Sequence, residues 1–307
     1  MKDRSPPSKI HPNFMIDFTL GGIAAALSKT SFAPIERVKL LLQTQDIIKV
    51  LKYKGMTDCF LRIMREEGVI SLWRGNFSNI LRYFPTQALN FALNEKYHSF
   101  FCPYDPHKNP WKFLFGSLLT GGVAGISSLV FIYPLDFVRT RLAVDVAKSE
   151  GKREFSGIND CMLKIYHSDG IHGIYRGFVV SSMTYFFYRA IYFGGYNSMK
   201  KLFIDDLEKN CLRLKVAAAL VVTNVAGFII YPFDTIRRRL MMQSGREDVL
   251  YKGTLDCMRK IWKNEGGLAF YKGGFSNVIR NTGSSLILVM YDEFQKIFSL
   301  KQWDRAV

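Results

Sequence analysis

Charged side chains are unevenly spread along this chain and leave long apolar stretches between them. Residues 113–135 run 23 positions without a charge, and residues 216–233 run eighteen. Four more stretches carry a single charge each: Lys29 within 18–35, Arg82 within 76–94, Arg189 within 178–199 and Arg280 within 275–291. A helix needs roughly 20 mostly apolar residues to cross a bilayer's hydrocarbon core, so the pattern predicts six membrane-spanning helices. Most are too polar for simple anchors, being rich in Gly, Ser, Thr, Asn and Gln. Such helices pack closely and turn a polar face inward. A soluble bundle of six buried helices is the competing reading, and several charge-poor spans of this length argue against it.

The four isolated charges are all positive. A charge at membrane depth costs roughly 2.5–3.5 kcal/mol on insertion scales; it either snorkels to the interface or marks a pathway or binding site. Turned inward, Lys29, Arg82, Arg189 and Arg280 would line a cavity that prefers a multivalent anion.

The chain also repeats itself, with a period of about one hundred residues. Pro34-Ile35-Glu36-Arg37-Val38-Lys39, Pro134-Leu135-Asp136-Phe137-Val138-Arg139 and Pro232-Phe233-Asp234-Thr235-Ile236-Arg237 share the pattern Pro-x-acid-x-x-base. Each is followed by an aromatic-x-Gly triplet ending at Gly55, Gly157 or Gly253, and then by Glu67-Gly68, Asp169-Gly170 or Glu265-Gly266. An aromatic-basic-Gly triplet ending at Gly75, Gly177 or Gly273 completes the set. The repeats are delimited as 10–104, 111–207 and 212–300. Two spans per repeat predict an all-α membrane protein: six transmembrane helices in three pseudo-symmetric repeats, with a proline bending each odd-numbered helix.

Within each motif, acid and base stand about 300° apart around the helix, so each is better placed to pair with a neighbouring helix than with the other. Glu36, Asp136 and Asp234 with Lys39, Arg139 and Arg237 would then close a cyclic ion-pair gate. Local pairing at the helix ends is the alternative, weakened by the spacing common to all three repeats. Arg82 and Arg280 both stand seven residues after a triplet glycine, where the middle repeat has Thr184. Binding an unsymmetrical molecule requires that kind of asymmetry.

Composition narrows the function. The net charge of +16 fits nucleic acid, an anionic membrane surface or anionic small molecules. No basic tract, stacking motif or zinc spacing supports nucleic acid. Five cysteines without a CxxC pair give no disulfide framework; Asp58-Cys59, Asp160-Cys161 and Asp256-Cys257 restate the repeat instead. Neither a metal-ligand spacing, a nucleophile elbow nor a P-loop is present, so no enzyme and no cofactor are expected.

The triplicated Pro-x-[Asp/Glu]-x-x-[Lys/Arg] motif resembles the signature of the mitochondrial carrier family over essentially the whole chain. The run Arg237-Arg238-Arg239-Leu240-Met241-Met242 is similar to the RRRMMM signature of the ADP/ATP carriers within that family, with Leu240 for the first Met. The resemblance implies an antiporter of ADP and ATP in the mitochondrial inner membrane, alternating between a matrix-side and a cytoplasmic-side gate. It implies short matrix-side helices, no cleaved presequence, both termini on the intermembrane-space side, and function as a monomer. The matrix gate would pair Glu36 with Arg139, Asp136 with Arg237 and Asp234 with Lys39, braced by Gln43. Lys29, Arg82 and Arg280 would meet the phosphates, and adenine would stack near Tyr188. Three consecutive arginines cannot share one face, so only Arg237 is placed in the gate; for Arg238 and Arg239 a position at the membrane end, facing water and headgroups, stands beside a part in the site.

Thr184-Tyr185 and Ile230 depart from the ADP/ATP carrier pattern at the implied base pocket, which opens the alternatives of another nucleotide or a phosphorylated metabolite; a proton or anion leak is an alternative of a different class. On the cytoplasmic side the family pattern gives Glu95 with Lys200, Asn197 with Gln295, and Asp292 with His98. That ring is the weaker one and implies a cytoplasm-open resting state. The six triplet glycines suit an anionic lipid, cardiolipin, held by backbone N–H groups at helix N-termini. Three ordinary capped turns are the plainer reading.

Overall fold

The computed structural model describes residues 14–48, 52–103, 109–146, 153–203, 212–246 and 248–283, and every element among them is helical. Long helices stand at the predicted spans: α1 (Phe14–Ile48), α3 (Asn76–Phe101), α4 (Pro110–Val144), α6 (Phe178–Phe203) and α7 (Leu212–Gln243). A further helix, α9, is described over 274–283. At 1.5 Å per residue the 35 residues of α1 and of α4 extend about 50 Å, enough to cross a bilayer and project beyond it. Pro34, Pro134 and Pro232 lie inside α1, α4 and α7. Trp111–Val144 and Ala217–Gln243 are long and apolar enough to cross a membrane by length and composition. These are the two found among the described residues, which take in the predicted span 275–291 only as far as residue 283.

Between the long helices of each repeat runs a short one: α2 (Met56–Glu67), α5 (Ile158–Ile174) and α8 (Thr254–Glu265). Their amphipathic sequences explain them, because apolar residues recur on one face and charges occupy the other. Each begins after an extended glycine with no side-chain cap. The aspartates of the Asp-Cys pairs instead reach back past the glycine: Asp58, Asp160 and Asp256 accept the backbone N–H of Lys54, Ser156 and Lys252, each at 2.9 Å. The cysteines beside them are fully buried, and burial pushes each thiol up to about 12. They are core residues, inert as nucleophiles.

The preceding aromatic is fixed from the other direction. The N–H of Tyr53 is donated to Gln45 at 2.9 Å, that of Phe155 to Asp145 at 3.2 Å, and that of Tyr251 to Gln243 at 3.1 Å. The end of each odd helix thereby dictates where the following short helix starts.

Three apolar cores result, one per repeat. The end of α7 reaches all of them: Leu240 packs with Ile236 and Phe270, Met241 with Phe137 and Val138, and Met242 with Leu40 and Val144. Three consecutive residues point about 100° apart on a helix, and here each direction meets a different repeat.

Candidate functional site

The repeats meet at three tight seams. Gly75, Gly177 and Gly273 have φ of 81°, 88° and 79°, a region that only glycine enters without strain. A β-carbon on Gly75 would stand 3.1 Å from the Arg139 carbonyl, on Gly177 3.2 Å from that of Arg237, and on Gly273 3.1 Å from that of Lys39. Each glycine thus lies on the backbone of the next repeat's motif base, and the third closes onto the first.

At this level the motif side chains form cross-helix pairs. Lys39 Nζ is 2.8 Å from Asp234 Oδ2, and Arg139 and Arg237 bind Glu36 and Asp136. The pairing is the cyclic one, α1 to α7, α4 to α1 and α7 to α4. Gln43 donates to Asp234 Oδ2 and to Thr235 Oγ1, 3.3 Å in each case. The side chains of this ring are largely withdrawn from solvent.

Of the two readings of Arg238 and Arg239, the one that faces them to water does not hold. Arg238 lies inside, 3.7 Å from Asp136 and 3.5 Å from Asp234, with a hydrogen bond to Thr140 Oγ1. Arg239 is wholly buried, binding Glu265, Asp46 and the Gln43 carbonyl. Arg238 bends round to the acid that also holds Arg237, while the direction of Arg239 holds acids of α1 and α8 instead of water.

Beneath the ring lies an outer tier. Arg74 of the first repeat pairs with Asp145 of the second at 2.5 Å, and Lys272 of the third with Asp46 of the first at 2.5 Å. Arg176 turns back to Asp169 of its own repeat at 3.3 Å. Arg37, also fully buried, donates to Glu67, Ser71 O and Ala143 O. The basic residues of the triplets are therefore engaged within the protein. Gly55, Gly157 and Gly253 face open space, with nothing within 4 Å of an added β-carbon.

Above the ring stand the isolated cations. Arg82 Nη1 is 3.3 Å from Asp136 Oδ1, and Arg280 Nη1 is 3.1 Å from Glu36 Oε1. Both lean on ring acids that already hold another arginine. Lys29 Nζ lies 5.1 Å from the Tyr83 ring centroid, a cation–π distance. Arg189 crosses Gly121 of α4, where a β-carbon would stand 3.0 Å from its Nη1. Tyr188 stacks on Tyr192 with centroids 6.1 Å apart.

Thr184 donates its hydroxyl to the Val180 carbonyl at 2.7 Å, Tyr185 packs on the second core, and Ile230 is buried. Glu95 and His98 are exposed. The side chains of Asn197 and Lys200, and all of Asp292 and Gln295, lie outside the described residues. Sequence reasoning missed Asn79, which donates to Glu36 Oε2 at 3.1 Å, and Asn277, which accepts from Lys39 at 3.0 Å. Their signal was present, since each stands four residues after a triplet glycine.

Comparison with known proteins agrees with this geometry. The sequence profile described as "Mitochondrial carrier protein" matches three times, over residues 11–105, 110–207 and 212–302. The chain is 54% identical to ADP/ATP translocase 3 of Sus scrofa, covering 93% of this chain and 98% of that one. It is 53% identical to ADP/ATP translocase 2 of Rattus norvegicus, covering 92% and 97%. It is 51% identical to the mitochondrial substrate carrier family protein ancA of Dictyostelium discoideum, covering 94% and 95%. Three profile matches spanning the chain, on a bundle joined by three equivalent ion pairs, make it a member of the mitochondrial carrier family.

Proposed function

We propose that this protein exchanges ADP and ATP across the mitochondrial inner membrane by alternating access, with binding and gating as its whole chemistry. The observation that carries the proposal is the sharing of acids between cavity and gate. Arg82 and Arg280 rest on Asp136 and Glu36, which also hold Arg237 and Arg139. A polyphosphate is a stronger partner for a guanidinium than a carboxylate already neutralised by another arginine. Its arrival draws Arg82 and Arg280 off the ring and so changes the surroundings of two of the three ring acids. Lys29 adds a third positive charge, and Tyr188 offers a face to the base.

Radiolabelled ADP uptake into proteoliposomes tests the reading. Uptake is expected only where the vesicles were preloaded with nucleotide, ADP and ATP being effective partners. Equal uptake into empty vesicles would mean a leak and sink the antiport reading. Guanine nucleotides belong in the panel: Thr184, Tyr185 and Ile230 are expected to weaken discrimination against them, and strict adenine preference would remove that expectation.

The same reading has the protein act as a monomer, because all three seams close within one chain. It also assigns anionic lipid, cardiolipin, to the triplets. The open starts of α2, α5 and α8 present free backbone N–H groups, which favour a phosphate. With Arg74, Arg176 and Lys272 paired to Asp145, Asp169 and Asp46, those amides carry the contact. Titrating cardiolipin into purified protein should raise its melting temperature by several degrees more than a zwitterionic lipid does; equal effects would exclude the site.

A further inference from the structure

Asn277 lies on α9, buried where the cavity meets the ion-pair ring. Its Oδ1 accepts two hydrogen bonds, from Lys39 Nζ at 3.0 Å and from Arg280 Nη2 at 3.2 Å. An amide oxygen has two lone pairs and no net charge, so it joins two cations without drawing either from its acid. Lys39 is at the same time 2.8 Å from Asp234, and Arg280 is 3.1 Å from Glu36. Through one side chain, a cavity cation is linked to a gate pair that it does not touch.

The other repeats do not make this link. Asn79, at the equivalent position, donates to the acid Glu36. Ser181 returns its hydroxyl to the Gly177 carbonyl at 2.8 Å. We propose that Asn277 is a positioning residue that relays the capture of phosphate by Arg280 to the Lys39–Asp234 pair, so that substrate is registered at all three gate pairs and not only two. The proposal rests on the reading of Arg280 as a phosphate contact. When phosphate pulls Arg280, the shared oxygen either follows it or loses it, and in both cases the hold on Lys39 changes.

Removing the relay should spare binding. Arg280 Nη2 is also held by Asn281 Oδ1 at 2.6 Å, and Nη1 by Glu36, so its place in the cavity survives. Asn277→Leu keeps the approximate shape and deletes the acceptor; Asn277→Ser is a milder change whose hydroxyl is too short to reach both cations. In proteoliposomes both variants should exchange ADP at least tenfold more slowly at saturation. Half-saturating ADP should stay within about threefold of the unmodified protein, the split expected when an interaction acts on the step after binding.

Unchanged maximal rates in variants that melt normally would overturn the relay. So would a tenfold rise in half-saturating ADP at an unchanged maximal rate, because Asn277 would then be touching substrate. Arg280→Ala, measured alongside, separates the two ideas. If that variant exchanges normally, the phosphate reading has failed; if it is inactive while Asn277→Leu is normal, the relay alone has failed.

Discussion

Arg280→Ala is expected to abolish exchange in a protein that still folds and extracts normally. The guanidinium offers its donors to Glu36, Asn277 and Asn281, and on the proposed reading gives them to phosphate when substrate arrives. A hydrogen bond involving a charged group contributes about 1.5–3 kcal/mol. Losing two to substrate should slow exchange roughly a hundredfold to ten-thousandfold. Folding should survive because Glu36 keeps Arg139 and Asn79, and because Arg280 belongs to none of the three ring pairs. ADP uptake at fixed protein density, with a melting curve as the control, measures both halves. A normal rate of exchange would show that the cavity cations were assigned wrongly.

The largest loss of stability is expected from Arg239→Met. This substitution leaves Asp46 and Glu265 sharing Lys272, with Lys52 reaching Asp46 only from the exposed side at 3.2 Å. Breaking a buried ion pair by removing one partner costs about 3–5 kcal/mol, because the other charge stays behind without it. In a chain of this size that lowers the melting temperature by on the order of 10 °C. Arg238→Met makes the useful contrast. Its acids lie at 3.5 and 3.7 Å and are each held by another base, so melting should change by no more than a few degrees. If the two variants melt alike, the neighbouring arginines do not have separate roles.

The ion-pair ring was legible in the sequence because three repeats state one spacing, and a period cannot hide. Arg238 and Arg239 were not legible, for a definite reason. Helix geometry says that three consecutive side chains diverge, but not what surrounds the helix, and α7 ends among acids from other elements. Asp46 was harder still. It breaks the repeat, since the residue corresponding to Asp145 is Gln45, one position earlier, and that glutamine already holds the Tyr53 amide. The Asp-Cys pairs were visible as a pattern without a purpose, which emerged once each aspartate was found on the backbone N–H just before its helix. Asn277 shows the other limit. A single asparagine carries no chemistry on its face, and its meaning lies in the two cations that share it.

The seams have an evolutionary consequence. At each one a glycine meets a backbone carbonyl, and whatever residue stands opposite the glycine supplies the same carbonyl. How closely the repeats approach is therefore written in atoms that mutation hardly alters. The gate and the cavity, a few ångströms away, are written in side chains that mutation replaces freely. Closure and cargo are thus inherited separately: a lineage can redesign what passes through such a protein while the way its three parts come together stays as it was.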